Sequence, residues 1–348
     1  MSKGRGASGN PANRFLQARL DTTELDGIDE ALELPGETQY FYEHPKKILN
    51  KVESPDIPLP WSLNPYQGCE HGCIYCYARN SHTFWGFSAG MDFEQKIIIK
   101  EHAPELLEKA FRHPKWKPAP VMFSGNTDCY QPVERQLQLT RRCLEVFLKF
   151  GNPVGLITKN SLILRDLDLL QELAAQGLAN VMITITTQDE DLRRAMEPRT
   201  STAAKRLETV RRLADAGVPT GVMLGPIIPG LNSHEFPALM EAAAANGALT
   251  AGYTFVRLNG DLQGLFETWL RQAYPDRADK VLSQIREAHG GSLEDHRYGV
   301  RMRGEGAIAD SISGMFKLLR AKHFAGRHMP PYNLEAFRVP PEGQLSLF

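Results

Sequence analysis

Three of the five cysteines of this chain fall within eight residues, in Asn64-Pro-Tyr-Gln-Gly-Cys69-Glu-His-Gly-Cys73-Ile-Tyr-Cys76-Tyr77. The spacing is C-x3-C-x2-C, and Gly68 and Gly72 let the backbone wrap tightly enough for three thiolates to converge. Convergent soft ligands select zinc, copper or an iron–sulfur cluster. A structural zinc takes four protein ligands, so His71 or a distant residue would have to complete the set. A four-iron cluster ordinarily takes four cysteines, and with three, one iron stays open to bind something else. His71, between two of the cysteines, reads as a surface residue of the loop. Cys143 lies in the helical pattern Leu139, Cys143, Val146, Phe147 and reads as core.

Such a loop needs a rigid frame. Short apolar runs at Val121–Phe123, Val154–Ile157, Val181–Ile185, Thr220–Leu224 and Tyr253–Val256 read as buried parallel strands. Helix-period segments lie between them at Glu134–Lys149, Leu167–Gln176, Ala203–Ala216 and Glu235–Ala245, with Gly177 and Gly217 at cap positions. This alternation means a parallel sheet with helical crossovers, either open and doubly wound or a full or partial barrel. A short strand near Leu63–Tyr66 brings the count to six strand–helix units, fewer than a closed barrel has. Residues 1–60 read as an N-terminal arm, partly disordered and poor in helix, and 61–258 as the α/β core. Residues 259–329 read as a helical extension, clearest at Leu262–Ala273 and Lys280–His289, and 330–348 as an extended, Pro-rich tail.

The 348 residues carry 40 Lys+Arg against 41 Asp+Glu, a formal net charge of -1. No global basic field draws the chain to nucleic acid, so any such binding must be local. With 42% hydrophobic and 23% charged residues the chain is not disordered, collagen-like or a coiled coil. An odd, small number of cysteines argues against an oxidised secreted scaffold. No apolar segment follows the N-terminus as in a secretory signal, and no run is long enough to span a bilayer. The expectation is a cytoplasmic protein with no membrane partner.

The trio Cys69, Cys73 and Cys76, with Tyr75 just before the third, resembles the signature of the radical S-adenosylmethionine enzymes. The strand–helix repeats downstream resemble their partial (β/α)6 TIM-like barrel. The resemblance implies a [4Fe-4S] cluster on the three cysteines, with the open iron chelating the amino and carboxylate groups of S-adenosyl-L-methionine. It further implies reductive cleavage to a 5′-deoxyadenosyl radical that takes hydrogen from an inert carbon, and an electron donor such as flavodoxin or ferredoxin. In parallel α/β architectures ligands bind at the carboxyl ends of the strands. There, Ser124, Gly125 and Asn126 would face the methionine amino group, and Lys159 its carboxylate. The hydroxyls of Thr186 and Thr187 would reach a ribose or carboxylate, and the Gly225–Gly230 segment with Ile228 would form an apolar ledge for adenine.

From about Trp61 to Val256 the order of elements is similar to the spore photoproduct lyase branch, as are Thr158-Lys159, Glu197, Thr200, Arg206 and the Gly221–Ile227 strand. Where the lyase has a hydrogen-donating cysteine, this chain has Gly125. Cys129 and Tyr130 are the nearest alternatives for that part, so the resemblance is to a related subgroup rather than to the lyase itself. The last residues, Gln344-Leu345-Ser-Leu347-Phe348, resemble the peptide by which bacterial polymerases and repair proteins dock on the sliding clamp. DNA and the clamp are therefore candidate partners. Local phosphate contacts would come from Arg135, Arg141 and Arg142, from Arg193, Arg194 and Arg199, or from Arg297, Arg301 and Arg303. Phe84, Trp85 and Phe87 would stack a base. A reading of a different class also fits, a non-catalytic metal-binding adaptor recruited through its C-terminal peptide.

Overall fold

The computed structural model describes residues 6–7, 9–11 and 38–341. Ten strands are described: β1 (Gln39–Tyr42), β2 (Leu49–Lys51), β3 (Trp61–Leu63), β4 (Tyr66–Gln67), β5 (Lys96–Ile99), β6 (Val121–Phe123), β7 (Val154–Thr158), β8 (Ala179–Thr184), β9 (Thr220–Ile227) and β10 (Thr250–Phe255). Seven form one sheet in the order β10-β9-β8-β7-β6-β3-β2. All neighbours in it are parallel except β2, which runs antiparallel to β3. Six parallel strands in sequential order, with β2 and β10 as edges, make a partial barrel left open among the described residues. The remaining strands form a small sheet, β1-β5-β4, in which β4 and β5 come from the segment between β3 and β6 and β1 from the arm before β2.

Helices cover the sheet as parallel strands require, because strands buried on both faces expose nothing polar to water. The crossovers are Ala103–Arg112, Leu139–Phe150, Leu167–Ala175, Ala203–Asp215 and Phe236–Ala245. Their apolar stripes meet β6 to β10 in one core that includes Phe111, Phe123, Phe147, Leu170, Val181 and Met240. Each fully buried aliphatic or Phe side chain contributes about 1.5–3 kcal/mol relative to exposure. Gly177 and Gly217 do end helices in the left-handed conformation, at φ +71° and +76°.

Several elements differ from the sequence reading. The single helix expected over Glu134–Lys149 is two, Glu134–Leu137 and Leu139–Phe150, parted at Gln138 with φ 51°. The break lets the Glu134 carboxylate accept from the Thr140 backbone N–H at 3.1 Å, capping the second helix with the first. The arm is not structureless where described, since it supplies β1 and β2, and Gly6 and Ala7 are buried. Beyond β10 come Leu262–Ala273, Pro275–Ala288 and an 18-residue helix, Gly306–His323, which the sequence pattern did not mark. Residues 330–341 cross the amino ends of the strands with a turn at 334–336, Asn333 N donating to Gly177 O (2.9 Å) and Arg338 N to Phe150 O (2.8 Å). Among the described residues no helix is long and apolar enough to cross a membrane. Gln344, Leu345, Leu347 and Phe348 lie outside the described residues.

Candidate active site

The cysteine loop leaves the carboxyl end of β3, passes through β4 and is tied down on every side. Cys69 N donates to Phe93 O (2.8 Å), Ile74 N to Met196 O (3.0 Å) and Glu70 N to Gln131 Oε1 (2.9 Å). Gly68 and Gly72 have φ +79° and +67°, and a side chain at either would meet Lys96 O or the Glu94 carboxylate within 3 Å. Only glycine allows that path. Arg79, fully buried, donates through Nε to Cys73 O (2.9 Å) and pairs through Nη2 with Glu94 (2.5 Å). Glu94 also accepts from Gly6 N (3.1 Å) and Ala7 N (2.9 Å), so the start of the chain is fastened behind the loop.

The three thiols are free and line one cavity of about 140 Å³. Burial pushes the Cys69, Cys73 and Cys76 thiols up, and for Cys73 the Glu197 charge adds to it. Metal must therefore displace their protons. His71 corrects the sequence reading, for it is buried rather than at the surface. Its Nδ1 stands 3.4 Å from Asp128 Oδ2 and its Nε2 3.2 Å from Asn160 Nδ2. With both ring nitrogens engaged it does not complete a zinc set. Among the described residues no group of three or more His, Cys, Asp or Glu is placed to hold a single metal ion. Three cysteines lining one cavity are the donor set that a four-iron cluster with one open iron would take, whereas a structural zinc would need a fourth protein ligand.

A second cavity, of about 260 Å³, shares Cys73, Cys76, Ser124, Lys159 and Thr184 with the first. Among the described residues Lys159 makes no ion pair, and its Nζ lies 5.8 Å from the centre of the Tyr75 ring. It is a buried-rim cation suited to a carboxylate. Ser124, at φ 75°, accepts from Cys129 N at 2.6 Å. Gly125 lines the second cavity, and its carbonyl accepts from the Tyr77 hydroxyl. Asn126 lines the first cavity, while its backbone N–H already donates to Asn64 Oδ1 (2.8 Å) and its Nδ2 to Gln67 Oε1 (3.0 Å).

Tyr75 faces the second cavity, and its hydroxyl donates to Glu197 behind it. Thr186 Oγ1 also donates to Glu197 (2.6 Å), and Arg206 closes the network at 2.5 Å. Burial pushes the Glu197 carboxyl up, but the Arg206 and Lys159 charges win and bring it down to about 2. Thr186 therefore supports Tyr75 and lines neither cavity; Thr184, two residues earlier on β8, lines both. Ile228 is packed with Leu192 and Met196 in a separate core cluster, and Gly225 and Pro226 line the cavity in its place. Cys129 and Tyr130 belong to the main core and line neither cavity. The Tyr130 hydroxyl donates to Asp166 at 3.1 Å. Sequence reasoning missed Met122, Met223, Arg257 and Met302 at the second cavity, which no local motif marks.

Residues 63–243, just over half of the chain, match the family described as the Radical SAM superfamily. The chain belongs to that family. Radical SAM members use a [4Fe-4S] cluster and S-adenosylmethionine and need an electron donor, so this is a radical SAM enzyme rather than a non-catalytic adaptor. An uncharacterized protein of Mycobacterium tuberculosis is 30% identical over 305 residues, covering 86% of each chain. An uncharacterized protein of Methanocaldococcus jannaschii is 28% identical over 231 residues, 66% of this chain and 82% of that one. Spore photoproduct lyase complexed with dinucleoside spore photoproduct has a similar fold, with a TM-score of 0.60 at 16% identity over 87% of this chain and 86% of that one. That likeness is one of fold.

The basic clusters are mostly spent within the protein. Arg141 pairs with Asp168 (2.7 Å), Arg142 with Glu105 (2.5 Å), Arg194 with Asp191 (3.1 Å) and Arg297 with Asp295 (2.8 Å). A different surface is basic and unpaired. A cavity of about 680 Å³ lies between β2 and the Ala103–Arg112 helix and is not lined by the cysteines. Lys46, Lys47, Lys51, Lys109 and Lys115 rim it, with Trp61 and Trp116 in its floor at 5.4 Å between ring centres. None of the five lysines makes an ion pair among the described residues.

Proposed function

We propose that the enzyme binds its cluster through Cys69, Cys73 and Cys76 and S-adenosylmethionine in the adjoining cavity, and abstracts hydrogen from a nucleic-acid substrate. The observation that carries this is the meeting of three thiols, Lys159 and the Tyr75–Glu197 network on one cavity pair at the carboxyl rim of the sheet. When bound and reduced, the cluster would supply the one electron needed for reductive cleavage of S-adenosylmethionine, and with it the means of taking a hydrogen atom from the substrate into 5′-deoxyadenosine. Lys159 would hold the methionine carboxylate, Ser124 and Gly125 would flank the amino end, and Tyr75, braced by Glu197, would hold the wall against them. The apolar side chains Met122, Ile157 and Met223 would keep water from the radical.

The substrate class is supported by the unpaired lysine groove and by the dinucleoside ligand of the spore photoproduct lyase structure. The C-terminal residues Gln344, Leu345, Leu347 and Phe348 would add sliding-clamp docking. The test is anaerobic reconstitution followed by dithionite, S-adenosylmethionine and deuterated oligonucleotides. A visible absorbance band that bleaches on reduction, together with deuterium in 5′-deoxyadenosine, supports the reading. A colourless protein holding one zinc, or 5′-deoxyadenosine without label from any nucleic acid, counts against the cluster or the substrate respectively.

A further inference from the structure

Arg257 follows β10 and lines the second cavity together with Cys73, Tyr75, Cys76 and Lys159. Its Nη1 is buried and finds no hydrogen-bond acceptor among the described residues. The acids around it are already taken. Asp56 accepts from Arg301 Nε (2.6 Å) and Gly299 N (2.7 Å), and Asp295 is bound by Arg297 (2.8 Å) and His289 (3.1 Å). What Arg257 has is the face of Tyr77, at 5.5 Å from the ring centre. That contact offsets only part of the cost of a buried cation. Burial, and then the neighbouring Arg301 charge, push its pKa down, which is the mark of a cation lacking a counter-charge.

A guanidinium nitrogen buried without an acceptor is destabilising, so its place in this cavity calls for an explanation. A ligand oxyanion supplies one, because the planar fork of Arg matches the oxygen pair of a phosphate or carboxylate. Two such groups are at issue, the carboxylate of S-adenosylmethionine and a phosphodiester of the substrate. Position separates them. Lys159 lines both the thiol cavity and the second one, whereas Arg257 lines only the second. Lys159, which shares a cavity with all three thiols, suits the cofactor, and Arg257, which lines the second cavity alone, suits the molecule that reacts.

We propose that Arg257 is the oxyanion receptor of this cavity and binds a backbone phosphate of the nucleic-acid substrate. This rests on the function proposed above. The test uses the full chain, reconstituted anaerobically, with the visible band verified in each preparation. Binding is measured for thymidylyl-thymidine, for its neutral methylphosphonate analogue and for S-adenosylmethionine, in wild type, Arg257→Lys and Arg257→Gln. Loss of a hydrogen-bonded charge corresponds to roughly tenfold to a hundredfold in affinity. Arg257→Gln is expected to weaken thymidylyl-thymidine by at least about tenfold, to leave the methylphosphonate and S-adenosylmethionine unchanged, and Arg257→Lys to fall between. If S-adenosylmethionine weakens instead, the oxyanion is the methionine carboxylate and the assignment to a substrate phosphate is overturned. If the variant changes neither, the inference is overturned. Should the variants fail to form the band, wild type decides. Competition by inorganic phosphate and a preference of about tenfold for the charged probe support the inference, and no difference between the two probes, including no binding of either, overturns it. Failure of the radical reading shows separately, as wild type that makes no 5′-deoxyadenosine.

Discussion

Arg206 Nη2 lies 2.5 Å from Glu197 Oε2, and both side chains are buried behind Tyr75. The pair stands behind Tyr75, which lines the second cavity. Glu197→Gln keeps the shape but leaves the Arg206 charge buried without its partner, which costs about 3–5 kcal/mol. That is a large share of the 5–15 kcal/mol by which domains are typically stable. The expected result is a clearly lowered denaturation midpoint in Glu197→Gln; an unchanged midpoint contradicts the structural role.

The same pair sets a pH dependence. Glu197 is brought from an ordinary 4.5 down to about 2, and Asp128 from 3.8 to about 2, where burial is outweighed by His71 and by hydrogen bonds from Lys159 N and Thr158. A depressed folded pKa adds stability that is present above the unfolded value and lost as pH falls through the folded one. Stability should therefore drop from about pH 4.5 towards 2, and the drop should be shallower in Glu197→Gln and Asp128→Asn. Urea midpoints across that range, read by circular dichroism, check the sign.

Much of the frame was legible because parallel strands are continuous apolar runs and helices end at glycines. β6 to β10 and the caps at Gly177 and Gly217 lie where those signals put them. So does the cysteine loop, whose glycines have the positive φ that tight wrapping demands. What could not be read depends on contacts between distant segments. His71 looks exposed until Asp128 and Asn160 are folded against it. Thr184 and Thr186 look equivalent in sequence, yet one faces the cavities and the other Glu197. The Gly306–His323 helix was obscured by Gly306 and Gly314, which weaken helix propensity that packing against the Phe236–Ala245 helix restores. Arg257 is a lone residue with no pattern around it.

Among the five cysteines, three line a cavity and two are in the core. Cys69→Ala, Cys73→Ala and Cys76→Ala should each abolish the visible band and 5′-deoxyadenosine formation after reconstitution. Cys143→Ala should keep both, losing no more than the packing of one small side chain. Cys129→Ala is the sharper case, because its burial away from both cavities predicts that product formation survives it. Iron content and product chromatography on the five variants would settle the division; loss of product with an intact band in Cys129→Ala would return that thiol to the chemistry.

Glu94 joins the beginning of the chain to the cluster loop. It binds Arg79, which holds Cys73 O, and it accepts from Gly6 N and Ala7 N. Deleting residues 1–11 removes two hydrogen bonds to a buried carboxylate, each contributing about 1.5–3 kcal/mol, but leaves the Arg79 pair intact. Glu94→Ala removes the pair as well, at about 3–5 kcal/mol. Loss of the visible band to an iron chelator should be faster than wild type in the deletion and fastest in Glu94→Ala. Equal rates in all three would mean that the amino-terminal contacts do not protect the cluster.

The lysine groove makes a claim that ionic strength can test. Lys46, Lys47 and Lys51 flank or lie on the edge strand β2, where lysine also discourages sheet-to-sheet aggregation, so changing them mixes two effects. Lys109 and Lys115 belong to the opposite wall and are free of that complication. Each phosphate contact releases counterions, steepening the logarithmic fall of affinity with salt by about 0.7 for single strands and about 0.9 for duplex. Lys109→Gln combined with Lys115→Gln should therefore reduce the slope by about 1.4 on single-stranded DNA while the cluster band is unchanged. If the slope is that of wild type, nucleic acid does not lie in this groove.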